Sequence, residues 1–384
     1  MPRLLPAALL WLVPIALHAS GLEPHMREVE RIRGLSFSQP VHSVTIDRSE
    51  LPGRLREQLT RTLPYSVAEW GEILSALLLI EEPEQEEAPF EQLLDLYQSQ
   101  VLAYYDPLTR TFFALRQPPA ALQDLPGVPV EDGVIVHELM HALQDQHFEI
   151  GPRDLALRKD TDASLAYHAV LEGEASLVML ASMMERAGAD FDALVRQPIF
   201  DGMLSSVAAA DLSLGAGTPP YFAAMLKFPY LEGLRFAVQA YRQGGWAELD
   251  RIHADPPRST REILHPDDYF ERRFRPAPFN PEPPPGVRAL TVEHLGEFHW
   301  SFLLGAANAR GWMADRVTVV QDAFCLPTVL VESSWESDDA ARRFHAAYAR
   351  LLDERGIWFL SEVEGKDVRL AYGVDAELME RFLR

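Results

Sequence analysis

The sequence predicts a helix-rich α+β fold in two parts, and three observations carry that expectation. Apolar residues recur at helical spacing over most of the first 275 positions. Strand-like alternation there is confined to short runs, enough for one small sheet. A proline-rich stretch, Pro276 to Gly286 (PAPFNPEPPPG), then precedes a final segment in which strand and helix patterns mix. The 384 residues suffice for one large domain or two ordinary ones. The expected organisation is an export signal over 1–19, a larger unit over 20–275, a linker over 276–286 and a smaller α+β part over 287–384.

The elements follow in order. Arg3, the apolar run Leu4 to Leu17 and the small residues Ala19, Ser20 and Gly21 have the shape of a cleavable secretory signal. It is too short to span a membrane stably, and no later stretch reaches the roughly 18 apolar residues a spanning helix needs. The expected location is therefore periplasmic or secreted, without a membrane span in the mature chain. Val41 to Ile46 alternates as a strand, Ser66 to Ile80 and Phe90 to Gln100 read as helices, and Glu81 to Glu87 reads as a solvated turn. Val101 to Tyr105 and Thr111 to Leu115, joined at Asp106-Pro107, read as a hairpin, and Pro118 to Pro129 as loop. Helical spacing returns from Gly133 to Phe148. A second long helix, capped by Thr161 or Asp162, is expected to run through Leu171 to about Ala187. Breaks fall at Gly215 to Pro220 and Gly244-Gly245. In the last part the patterns predict a helix over Leu295 to Ala307, strands at Val317 to Val320 and Val329 to Glu332, and a helix from Asp338 to about Arg355.

Composition excludes several classes. A net charge of -22, with no basic patch, argues against nucleic acid and anionic membrane surfaces. The single cysteine, Cys325, rules out an intramolecular disulfide and a cysteine-based metal cluster. Its neighbours Phe324 and Leu326 suggest a buried thiol. Any metal must be bound by histidine and carboxylate.

The chemistry concentrates in VIVHELMHALQDQHF, which contains His137-Glu138-Leu139-Met140-His141. Two histidines four apart on a helix project from one face and reach a common metal, and zinc is the ion such a pair most often holds. Glu138 is placed as general base toward a water at that metal. The surrounding residues are apolar, so two histidines and a glutamate lie in a dry helix where they need compensation. A hydrolytic site needs a third protein ligand and one open position. Glu172 in AYHAVLEGEASLVML is the first candidate because of its apolar setting; Glu174 and His168 remain rivals. Asp145, one turn after His141, is placed to orient that ring. An oxyanion needs a donor, for which Tyr230 and His265, each beside a proline, are candidates.

HELMH followed on a second helix by Glu-Gly-Glu-Ala resembles the gluzincin group of metallopeptidases, in which the glutamate before the glycine supplies the third ligand. The resemblance implies Glu172 in that role, with Gly173 letting the two helices approach closely. The longer gap from His141 to Glu172 leaves room for an inserted loop near Gly151 to Asp160. Further segments, HALQDQHF, AYYDPLTRTFF, FPYLEG, GGW, PPRSTREILHPDDY and GW-x-x-DR, resemble a family of exported bacterial proteins classed as metallopeptidases. That similarity covers most of the chain after residue 20. It implies a zincin-like core with a metal-binding helix pair, a bound zinc, and a peptide or protein substrate docked along Thr111 to Leu115 as an added strand. The alternative is a catalytically inactive zincin-like scaffold or interaction protein of the cell envelope. An intact Glu138 speaks against that, since a scaffold needs ligands but no base.

Overall fold

The computed structural model describes residues 21–116, 130–209, 218–276 and 278–384. The expected export signal, the loop at Pro118 to Pro129 and part of the break before Pro220 lie outside them. Helix dominates and two small sheets accompany it, so the class is α+β.

The chain opens with α1 (Leu22–Arg33), then β1 (His42–Ile46), a short 3-10 turn, α2 (Leu51–Thr62), α3 (Val67–Ala76) and α4 (Ala88–Gln100). Ser66 starts α3 through a capping box: its hydroxyl accepts from the Glu69 amide while the Glu69 carboxylate reaches back to the Ser66 amide. The hairpin β2 (Ala103–Asp106) and β3 (Thr111–Leu115) follows. β3 pairs antiparallel with β2 and parallel with β1, in the order β1-β3-β2. Thr111 to Leu115 is therefore the central strand with both edges filled, and it cannot accept an added strand. The edge that adjoins the histidine helix is β2, and it turns the Tyr105 N–H away from β3.

Next come α5 (Val130–Phe148), α6 (Ile150–Leu157) and α7 (Thr161–Arg186). The segment expected as an inserted loop is thus mostly helix α6. The cap of α7 is Asp160, whose carboxylate accepts from the Ala163 amide. Thr161 and Asp162 are otherwise engaged, bonded to Glu293 and Thr260. After α8 (Phe191–Val195) and α9 (Pro198–Ala209), α10 (Pro220–Gly244) runs through Pro229 without breaking. α11 (Trp246–Ala254), α12 (Thr260–Leu264) and α13 (Pro266–Phe270) complete this part.

Beyond the proline-rich segment lie β4 (Thr291–Glu293), α14 (Gly296–Leu304), α15 (Ala306–Ala309), β5 (Trp312–Gln321), β6 (Pro327–Trp335), α16 (Asp338–Glu354), β7 (Phe359–Glu364), β8 (Asp367–Gly373) and α17 (Ala376–Leu383). The strands form an antiparallel sheet in the order β4-β5-β6-β8-β7. Asp315 pins the turn into α14 by accepting from the Leu295 and Gly296 amides and from the Trp300 and Trp312 indoles, at 2.7 to 2.9 Å. Cys325 sits exposed in the β5–β6 turn at φ 60°, beside a Phe324 that is 83% exposed. The expectation of a buried thiol fails because Asp322 accepts from the Phe324 and Leu326 amides and holds a tight turn that faces solvent.

Two large cores result. One surrounds α5, α7 and α10. The other joins side chains of α2 to α4, such as Leu55, Trp70 and Leu94, with Trp300, Trp335 and Leu370 from beyond residue 286. The Tyr372 hydroxyl donates to the Ala76 carbonyl at 2.8 Å across the same boundary. Among the described residues no helix is long and apolar enough to cross a membrane.

Candidate metal centre

Every residue of α5 from Gly133 to Asp145 is buried, as is every residue of α7 from Asp162 to Val178. Such helices, apolar all round, belong in an interior, and their few polar side chains must find partners inside it. His137 and His141 stand one turn apart on α5, and Glu172 meets them from α7. The two Nε2 atoms are 3.2 Å apart, and the Glu172 Oε2 lies 3.1 Å from one and 3.3 Å from the other. Their side chains are only 4 to 6% exposed.

That triangle fits a metal by simple geometry. Tetrahedral coordination at metal–ligand distances of 2.0–2.1 Å separates neighbouring donor atoms by roughly 3.3 to 3.4 Å. Two imidazoles and a carboxylate are a donor set that suits a divalent transition metal. These three are the metal-capable cluster of histidine, cysteine and carboxylate found among the described residues. Burial drives the Glu172 carboxyl upward, but the two imidazoles overcome it and hold Glu172 well below the usual carboxylate range. His137 is pulled down, first by burial.

Glu138 is fully buried beside the triangle. Its Oε2 accepts from the Tyr105 N–H of edge strand β2 at 3.0 Å, while its Oε1 has no hydrogen-bond partner. Burial first, and then the charge of Glu172, push its pKa well above the ordinary value. Tyr230 stacks on His137, ring centroids 6.1 Å apart. Its hydroxyl is buried without a well-formed hydrogen bond, and burial followed by the charges of Glu172 and Glu138 raises its pKa strongly. It comes from the interior of α10, not from the helix edge that Pro229 suggested. Gly173 brings it there, though its close approach is to α10 and not to α5. A Cβ on Gly173 would fall 2.1 Å from the Gly233 carbonyl oxygen, and one on Gly233 would fall 2.1 Å from that of Ala169.

The other candidates separate. His265, between α12 and α13, pairs with Glu297 at 2.7 Å and is not among the three converging donors. His168 pairs with Asp154 at 2.9 Å. Glu174 binds Arg33, His253 and Gln144, at 2.6 to 2.7 Å. Asp145 does not orient His141; it accepts from the Tyr105 hydroxyl at 3.0 Å and pairs with Arg110. The group on His141 Nδ1 is Gln144, with Oε1 at 2.8 Å. Sequence reasoning passed over Gln144, and its signal was an amide three residues after His141, at the end of the buried stretch of α5. No protein-family model matches the chain, and neither a curated protein nor a solved structure matches it.

Proposed function

We propose that this protein is an exported zinc-dependent hydrolase, a metallopeptidase with a zincin-like core, whose metal ligands are His137, His141 and Glu172. The observation that carries the reading is the convergence of three buried donor atoms within 3.1 to 3.3 Å, beside a carboxylate with one unpartnered oxygen. Zinc bound there would lower the pKa of a water and polarise a carbonyl.

The chain's own residues supply the rest. Glu138, with Oε1 free and its pKa raised, takes a proton from the attacking water and returns it to the leaving nitrogen. The Tyr105 N–H fixes the other oxygen, so the free one keeps its aim. The Tyr230 hydroxyl, which makes no well-formed hydrogen bond, donates toward the oxyanion as it develops. The substrate is a peptide or protein, admitted beside β2 and not along β3.

Metal analysis and turnover test this together. Wild type should retain one zinc per chain after washing, Glu172→Ala should lose it, and Glu138→Gln should keep zinc while hydrolysis of a peptide library falls at least 100-fold. Wild type without zinc, or Glu138→Gln as active as wild type, would refute the proposal.

A further inference from the structure

We infer that Gln144 and Glu174, neither of which joins the three converging donors, act as a relay that fixes the tautomer of His141 and keeps its Nε2 free to bind metal. The inference rests on the metal-site reading above. Gln144 lies one turn beyond His141 and is fully buried. One end of its amide meets His141 Nδ1 at 2.8 Å; the other meets the Leu171 carbonyl at 3.1 Å and the Glu174 Oε2 at 2.7 Å.

These partners leave the amide only one orientation. A backbone carbonyl only accepts. Glu174 accepts from Arg33 Nε on one oxygen and meets His253 Nε2 with the other, each at 2.6 Å; beside the permanent charge of Arg33 it stands as a carboxylate, an acceptor toward Gln144 like the Leu171 carbonyl. Two acceptors at one end of an amide require the NH2 group there. The oxygen of Gln144 must then face His141, and an oxygen accepts. His141 therefore carries its proton on Nδ1. In the neutral ring that is the only N–H, so Nε2 then keeps a lone pair, directed toward His137 Nε2 and Glu172.

The choice of glutamate at 174 also follows. An amide at that position could present either end to Gln144. Gln144 could then turn over and offer N–H to His141, which would move the ring proton to Nε2, where it obstructs a metal. Glu174 adds a second, closer acceptor to the Leu171 carbonyl against that turn, and Arg33 and His253 make its charge tolerable in a dry core. Arg33 comes from α1 and His253 from α11, so four helices meet at this carboxylate. A rival explanation is that the cluster is only an ion-paired tie between those helices, with no bearing on the ring.

The test uses the full chain with ring-15N histidine, recording which His141 nitrogen bears the single proton in metal-free protein at a pH high enough for the ring to be neutral. Zinc affinity by chelator competition and thermal stability are measured in parallel. Wild type should show the proton on Nδ1. Gln144→Met should weaken zinc 10- to 100-fold, the size typical of losing a ligand's orienting partner, and Glu174→Gln should do likewise while shifting the proton toward Nε2. The double variant should bind zinc no worse than the weaker single one, because Glu174 acts through Gln144. A wild-type proton on Nε2, additive losses, or a Glu174→Gln variant that melts earlier with unchanged zinc affinity and tautomer would overturn the relay. If Glu174→Gln does not fold, Gln144→Met and the wild-type spectrum still decide. Wild type that binds no zinc would defeat the hydrolase reading, while the ring spectrum alone would still judge the relay.

Discussion

His294 is a buried imidazole whose charge works for the fold. It donates to Asp160 at 2.7 Å, feels Asp315 and Asp162 as well, and stacks on Phe279. Burial pulls its pKa down, but the three carboxylates prevail and raise it from 6.5 to about 9. A raised folded-state pKa means the contribution is whole below pH 6.5 and fades as pH climbs through about 9. Stability should therefore fall between pH 6.5 and 9 by an amount on the order of a few kcal/mol. His294→Gln should flatten that limb, as read from urea midpoints across pH; an unchanged slope would dismiss the ion pair as a contributor. Nothing in the sequence pointed to this pair, because 134 positions separate its members. His137, Glu138 and His141 were legible for the opposite reason, since helical spacing alone places them together. Gln144 was not, because both i+3 and i+4 neighbours border a helical residue and only the ring's rotamer selects between Gln144 and Asp145.

Element by element, the crossing of α7 and α10 governs the site. Gly173 and Gly233 let the two backbones touch, and Tyr230 reaches His137 because it sits one turn before Gly233 on α10. Gly233→Ala should force the helices apart, costing about 1–3 kcal/mol of stability by overpacking, and should weaken zinc binding as Glu172 withdraws with α7. Gly53→Ala is the matched control, since no atom lies within 4 Å of its added Cβ. Equal behaviour of the two variants in denaturation and zinc titration would discount the crossing. Elements with strong periodicity, such as α5, α7 and α16, were readable to within a few residues. Parallel pairing of β1 with β3 was not, since strand order depends on contacts distant in sequence.

For the molecule as a whole, the shared core across residues 276–286 sets the unit of folding. Trp300, Trp335 and Leu370 cover side chains of α2 to α4, and Arg261 donates to the Trp312 carbonyl at 2.6 Å. A fragment ending at Arg275 should therefore fail to melt cooperatively and should retain no zinc, whereas the full chain should unfold in one transition. Circular dichroism melts with metal analysis would show this; a folded, zinc-loaded fragment would disprove it. The proline-rich stretch was visible as composition, but whether the flanking parts share an interior is a property of distant apolar surfaces.

Cys325 holds a left-handed backbone on an exposed turn, a conformation that favours glycine over any residue with a Cβ. Replacing it with glycine would relieve the backbone at no packing loss, giving a cysteine-free chain suited to installing reporter thiols elsewhere. Left in place, the same side chain offers a single address for a thiol-specific dye, remote in sequence from His137, His141 and Glu172.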